Sequence, residues 1–289
     1  MKETIGWIGV GSMGHRMSRH LVEAGYPVVV ADAVSTERAP AGATVAKSNA
    51  EVARQADIMI LSLPDGNISQ AVAKEIAATS ARRVTTVIDT STIGIKAAQA
   101  AAAVLAAAGI DFIDAPVSGG TAGADKATLA IMLACPAAQF ERFKGLMGLM
   151  GKPFHAGEKP GQGQAIKLLN NFLSATALAA TSEAIAFGTQ QGIEMKTILD
   201  IVNASTGRNT ATDDKFPRRI MHGRYDAGFT AKLQLKDIRL YLDNARAAGI
   251  TDEIASVVVD VWEQMDADMP GSDITEMYPF TKKGRRRPA

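Results

Sequence analysis

The chain has 289 residues, 47% hydrophobic and 21% charged, with 31 Lys and Arg against 30 Asp and Glu for a net charge of +1. That length predicts two domains of ordinary size, and the charge balance excludes a chain drawn as a whole to nucleic acid or to a membrane surface. The single Cys135 excludes an intramolecular disulfide and a cysteine-rich metal site, and no metal is expected. Its neighbours Ile131-Met132-Leu133-Ala134 predict a buried thiol rather than a nucleophile. No apolar run is long enough to span a bilayer, and Met1-Lys2-Glu3-Thr4 leads into a strand pattern without a secretory apolar region, so a cytoplasmic setting is expected.

Thr4-Ile5-Gly6-Trp7-Ile8-Gly9 is a short apolar strand that runs into Gly9-Val10-Gly11-Ser12-Met13-Gly14. A helical pattern follows (Met13, Met17, His20, Leu21, Ala24) and stops at Gly25, as a helix does at a C-terminal glycine. Val28-Val29-Val30-Ala31-Asp32 is a second strand ending in an acid. Strand, G-x-G-x-x-G, helix, strand and acid together predict a dinucleotide site. Gly9 makes the tight turn, Gly11 leaves room for the pyrophosphate, and Gly14 lets the helix pack on the strand. Ser12 and Met13 lie between these glycines, at the helix start that faces the phosphates. Asp32 is expected to accept from the adenosine ribose hydroxyls and to repel a 2′-phosphate. NAD is therefore the expected cofactor, with NADP disfavoured although Arg38 lies farther along.

Strand and helix signals then alternate. Residues 56–64 form a buried-type strand halted at Leu63-Pro64, residues 84–89 another that ends before Thr90-Ser91-Thr92, and residues 110–114 a third. The Ala-rich segment 97–108 is a helix by propensity, closed by Gly109. This alternation predicts a doubly wound parallel sheet, with ligands outside the carboxyl ends of its strands, where Leu63, Pro64 and Thr92 fall. After Asp114, the loop Ala115-Pro116-Val117-Ser118-Gly119-Gly120-Thr121 has exposed N–H groups suited to a small anion, although a Gly-Gly pair alone is more often an ordinary turn. Residues 128–134 and 153–155 read as two more strands.

From Gln162 the strand signal disappears. Helices are expected at 163–191, 194–203, 209–222, 231–248, 251–268 and 273–280. The expected fold is thus an α/β Rossmann-type domain over 1–162 and an all-α domain over 163–289, joined by a long interdomain helix. On that helix Lys167, Asn170, Asn171 and Ser174 share one face. Ile166, Leu169, Leu173, Ala177, Ala180 and Ala184 follow helical spacing on another, which is expected to be core.

Four separated motifs resemble one family. Trp7 to Ser18 is similar to the cofactor fingerprint of the β-hydroxyacid dehydrogenases, in the branch of 3-hydroxyisobutyrate, tartronate-semialdehyde and glyoxylate/succinic-semialdehyde reductases. Asp114-Ala115-Pro116-Val117-Ser118-Gly119-Gly120 resembles its substrate loop, Gly163-x-x-x-Lys167-x-x-Asn170-Asn171 its catalytic helix, and Lys236-Asp237 its late Lys-Asp pair. The resemblance covers residues 4 to 280. It implies that Lys167 is the general acid/base, that Ser118, Gly119, Gly120 and Asn171 orient the substrate, and that Leu63, Pro64, Thr92 and Lys236 line the cofactor. A lysine serves this chemistry near neutrality where its surroundings are partly desolvated, as in a closed cleft.

Departures sharpen the reading. Asn170 stands where the larger 6-phosphogluconate dehydrogenases carry His, and Val10 replaces the usual Leu. Imine reductases of similar fold, like non-catalytic readers that keep the fold, usually lose the lysine that is present here as Lys167. Ser205-Thr206-Gly207-Arg208-Asn209-Thr210 does not match the branch and leaves Arg208 with two readings: it pairs with a carboxylate or sulfonate on the substrate, or it caps a helix or reaches a neighbouring subunit. The basic tail over residues 282–289 reads as a frayed, solvated terminus rather than a nucleic-acid contact. The partners expected are a small carboxylate-bearing substrate and further copies of the chain, as a homodimer or homotetramer, with no nucleic acid and no membrane.

Overall fold

The computed structural model describes residues 2–284, so part of the basic tail lies outside the described residues. The chain forms two compact units, Met1–Lys167 and Leu168–Ala289. The first unit contains β1 (Ile5–Ile8), α1 (Gly14–Glu23), β2 (Val28–Ala31), β3 (Thr44–Val45), α2 (Asn49–Gln55), β4 (Ile58–Leu61) and α3 (Gly66–Ala78). These are followed by β5 (Thr86–Asp89), α4 (Ile95–Ala107), β6 (Asp111–Asp114), β7 (Val117–Ser118), α5 (Gly120–Asp125), β8 (Leu129–Ala134), α6 (Ala137–Met147) and β9 (Gly151–Gly157).

The strand order is β3-β2-β1-β4-β5-β6-β8-β7, with β9 pairing β8. From β3 to β6 every pairing is parallel. Strand period 2 explains the continuous apolar runs, because both faces of the sheet are covered. Ile58 and Ile60 of β4 join one buried cluster with Ile5, Trp7 and Met17, whereas Met59 and Leu61 join the other with Val52 and Ile76. Beyond β6 the sheet is mixed rather than wholly parallel: β8 runs antiparallel to β6 and β7, while β9 is parallel to β8. Between β6 and β8 the chain forms only the short β7 and α5, not the full crossover helix that a parallel return requires.

Helix α7 (Gln162–Gln190) is the long helix expected from the sequence. The second unit adds α8 (Met195–Asn203), α9 (Phe216–Arg218), α10 (Ala231–Ala247), α11 (Glu253–Asp268) and α12 (Met277–Lys282). Its core gathers Trp262, Phe216, Leu178, Ile238 and Met265. The single helix expected over 209–222 is instead a π-helical turn, Ala211–Lys215, then the three-residue α9 and a 3-10 turn, Ile220–His222. Pro217 explains the break, since it has no N–H to donate and its ring crowds the carbonyl of Asp213 four residues back.

The apolar stripe assigned to the core of α7 is on the surface. Leu169 and Leu173 are 42% and 60% exposed, Ile166, Ala180 and Ala184 are exposed as well, and Ala177 is half-buried. The buried residues include Leu168, Asn171, Ala175, Leu178, Ser182 and Ile185, a stripe at the same spacing that includes polar side chains. Helix α7 carries apolar residues on more than one face, so periodicity alone does not choose its buried face. The polar members are accommodated by hydrogen bonds: Ser182 Oγ donates to the Leu178 carbonyl at 2.8 Å, and the Asn171 amide to Asp237 at 2.6 Å.

Candidate active site

In the first unit the glycine loop between β1 and α1 has three distinct surroundings. Gly9 has φ +92, and a Cβ there would lie 2.2 Å from the Ser62 carbonyl oxygen. At Gly14 a Cβ would lie 1.9 Å from the Gly9 oxygen, so any side chain would push α1 off β1. Gly11 is the opposite case, with no atom within 4 Å of an added Cβ. That open side, next to the start of α1 at Gly14 where no side chain caps the helix, fits a diphosphate held by backbone N–H groups. Ser12 is exposed and Met13 half-buried on the same turn.

Asp32 follows β2 directly. Its Oδ2 accepts from Val10 N at 2.8 Å, and Oδ1 accepts from Val34 N and Ser35 N at 2.8 and 3.1 Å. The carboxylate therefore ties the glycine loop to the loop after β2. A carboxylate offers about four acceptor positions, which leaves room for roughly one further donor such as a ribose hydroxyl.

The ends of β4, β5 and β6 are joined by a buried polar network that the sequence reading did not assign. Leu63 N donates to Ser91 Oγ at 2.7 Å, Ser91 N to Asp89 Oδ1 at 2.9 Å, and Ser69 Oγ to Asp89 Oδ2 at 2.8 Å. Thr90 Oγ1 donates to the Leu61 carbonyl at 2.6 Å. Thr92, on the segment that enters α4, is half-buried, as is Leu63 after β4, while Pro64 is exposed. Asp114, at the end of β6, accepts from Gly161 N and Gln164 N on Oδ2, both at 3.0 Å, and from Gln164 Nε2 on Oδ1 at 2.7 Å. Burial pushes the Asp114 carboxyl up to about 6, and the charge of Asp89 adds to the rise, against the opposing pull of these hydrogen bonds. Burial likewise raises Asp89. The signal for both acids was available: each directly follows buried apolar residues at the end of a strand, where a buried charge needs partners.

The loop after β6 turns at Ser118, Gly119 and Gly120, with φ of +135 and +63 at the two glycines. These conformations suit glycine and leave Gly119 and Gly120 exposed beside a half-buried Ser118. Lys167, in the second turn of α7, is buried, with 9% of its surface exposed.

In the second unit Asn171 Nδ2 donates to Asp237 Oδ2, Lys236 Nζ lies 2.9 Å from Asp237 Oδ1, and Gln234 Nε2 donates to the Asn171 carbonyl at 3.2 Å. Asp237 is buried and receives one amide and one ammonium, so it orients both Asn171 and Lys236. The sequence pointed to the Lys236-Asp237 pair; the structure ties Asp237 to Asn171 and adds Gln234 as a support of the Asn171 backbone. Arg208 is 64% exposed and pairs with Asp213 at 2.7 Å. Among the described residues there is no group of three or more His, Cys, Asp or Glu side chains placed to hold a metal ion, and no helix long and apolar enough to cross a membrane.

Comparison with known proteins accounts for both units. Residues 4–184 match the NAD binding domain of 6-phosphogluconate dehydrogenase, and residues 161–281 match the NAD-binding domain of NADP-dependent 3-hydroxyisobutyrate dehydrogenase. The 2-(hydroxymethyl)glutarate dehydrogenase of Eubacterium barkeri is 33% identical, over 90% of this chain and 95% of its own. The solved Mycobacterium tuberculosis 3-hydroxyisobutyrate dehydrogenase with L-serine superposes with a TM-score of 0.90 at 30% identity, covering 98% of this chain and all of its own. An imine reductase of Streptomyces aurantiacus, at 20% identity and a TM-score of 0.64 over 97% of this chain and all of its own, shares the fold alone. With NAD(P)-binding domains, a matching fold and relatives that are dehydrogenases, the chain belongs to the β-hydroxyacid dehydrogenase family.

Proposed function

We propose that this chain is an NAD-preferring dehydrogenase that interconverts a small β-hydroxy acid and its semialdehyde, with Lys167 as general acid/base. The observation that carries the reading is the burial of Lys167 on α7, a setting in which a lysine can exchange a proton away from bulk water. When bound, the nicotinamide cofactor supplies the hydride for reduction and takes it up in oxidation. In reduction the Lys167 ammonium gives its proton to the carbonyl oxygen, leaving a hydroxyl and a neutral amine; in oxidation the neutral amine takes the hydroxyl proton. The backbone N–H groups around Ser118, Gly119 and Gly120 and the amide of Asn171 hold the substrate carboxylate and hydroxyl. Gly9, Gly11, Ser12, Met13 and Gly14 cradle the diphosphate, Asp32 takes the adenosine ribose, and Leu63, Pro64, Thr92 and Lys236 line the cofactor.

The preference for NAD rests on Asp32, a carboxylate at the position where NADP would place a second negative charge. A homodimer or homotetramer belongs to the same reading, supported by the exposed apolar stripe of Leu169, Leu173 and Phe187 on α7, with Phe187 69% exposed. So does a cytoplasmic location, in keeping with a single cysteine and a balanced charge.

A screen of NADH and NADPH oxidation over small aldehydes tests the proposal. Non-phosphorylated semialdehyde acids of three or four carbons are expected to be reduced, with the higher kcat/KM for NADH. Efficient turnover of a phosphorylated sugar acid, or of cyclic imines alone, overturns the substrate class, and a clear NADPH preference overturns the role of Asp32. Arg208 pairs with Asp213 on the surface, so the KM for the best acid is expected to stay as it is in Arg208→Lys. A raised KM in that variant returns Arg208 to the substrate.

A further inference from the structure

Gln164 is fully buried, and all four hydrogen-bonding positions of its carboxamide are used. Oε1 accepts from Ile93 N at 2.9 Å and Gly94 N at 3.0 Å; Nε2 donates to the Ser91 carbonyl at 3.0 Å and to Asp114 Oδ1 at 2.7 Å. The orientation of the amide is forced, because turning it over would set its NH2 against two N–H groups. Asp114, also fully buried, holds the other side with Oδ2 on Gly161 N and Gln164 N. One amide and one carboxylate thus join the end of β6, the segment between β5 and α4, and the first turn of α7. Through Ser91, whose hydroxyl accepts from Leu63 N, the same network reaches the end of β4.

We propose that Asp114 and Gln164 are positioning residues, a buried clamp that sets the first turn of α7, and with it Lys167, against the segments carrying Leu63 and Thr92. The inference rests on Lys167 being the acid/base. Lys167 follows Gln164 by three residues, nearly one helical turn, so a tilt of that turn moves the lysine directly. A displacement of about 1 Å at a reacting group can cost on the order of 100-fold in rate. Two features set the clamp apart from ordinary packing. A carboxylate and an amide buried for stability alone can be replaced by apolar groups at little loss, whereas these two side chains make six hydrogen bonds, with two N–H donors and three acceptor oxygens aimed at fixed backbone and side-chain atoms. In addition, every contact depends on polarity: both oxygens of Asp114 face only donors, so an amide at 114 must turn an NH2 towards one of them.

That dependence supplies the test. Asp114→Asn places Nδ2 against the Gln164 NH2, and Gln164→Glu places an oxygen against Asp114 Oδ1 and the Ser91 carbonyl. In the double variant Asp114→Asn/Gln164→Glu the bond between the two residues is restored with its direction reversed, leaving only the Ser91 carbonyl badly faced. Each single change is expected to lower kcat by about 10- to 100-fold, measured well below its Tm, and to speed amide exchange at Gly161 and Gln164. The double variant is expected to recover at least about tenfold over the poorer single and to slow that exchange again. If a single variant does not fold, the double must fold and turn over. A single variant that folds with wild-type kcat, or a double no better than the poorer single, overturns the clamp. Lys167→Ala is measured alongside. If it keeps its turnover the acid/base reading fails, while the exchange data still decide the clamp; if it loses turnover and the singles do not, the clamp alone fails.

Discussion

Alanine at Lys167 is expected to lower kcat by about 100-fold or more, the scale on which a positioned proton donor acts, while NADH still binds. The cofactor contacts assigned to the glycine loop and Asp32 do not involve this side chain, so a fluorescence titration with NADH should give a dissociation constant close to that of the wild type. Lys167→Arg separates charge from proton transfer. Arginine keeps the positive charge but holds its proton at any accessible pH, so it is expected to be about as slow as the alanine variant. Near-full turnover in either variant would take the acid/base role away from Lys167.

The second large effect divides two glycines three residues apart. Gly14→Ala drives a methyl group to within 1.9 Å of the Gly9 carbonyl oxygen and 2.9 Å of Trp7 Nε1. Since the first is backbone, the start of α1 has to move, at a cost of about 1–3 kcal/mol in stability, together with loss of the phosphate-binding turn. Gly11→Ala meets no atom of the protein within 4 Å and needs no unusual backbone angle. Its stability is expected to hold or to rise by about 0.4–1 kcal/mol, because alanine restricts the unfolded chain. NADH binding is nevertheless expected to weaken at least tenfold, since the methyl fills the space left for the diphosphate. Thermal unfolding and NADH titration on both variants check the contrast. A Gly11→Ala protein that binds NADH normally would place the diphosphate elsewhere.

These expectations trace how far the chain could be read. The glycine loop was legible because each glycine answers a local demand of turn, open space or close packing, and local demands leave a fixed spacing. The apolar strands were legible because both faces of the sheet are covered. The buried face of α7 was not: Ile166-Leu169-Leu173 and Leu168-Ala175-Leu178 have the same period, and tertiary packing selects between them. Gln164 was invisible for a different reason. Its four partners, Ser91, Ile93, Gly94 and Asp114, lie 50 to 73 positions away, and no pattern along the chain marks a glutamine in a helix's first turn as the hub of such a network. The break at Pro217 was the reverse case, a signal present in the chain and outweighed by the helical pattern around it.

The edges of the sheet bear on how the chain behaves while it is being made. A row of unpaired backbone groups at a sheet margin is a template on which other chains can build fibres. One margin here is β3, only two residues long; at the other end β7, also two residues, and β9, which carries Lys152 and Pro153 within its span, each pair only with β8. A proline gives no N–H to an incoming strand, and a lysine resists stacking beside its own copy. The buried strands β1, β4 and β5, which would aggregate if laid bare, sit in the middle of the order. The hazard is thus confined to the interval before β2 and β6 have closed over them. A variant that slows this closure is expected to lose yield to insoluble aggregate while leaving the finished enzyme unchanged.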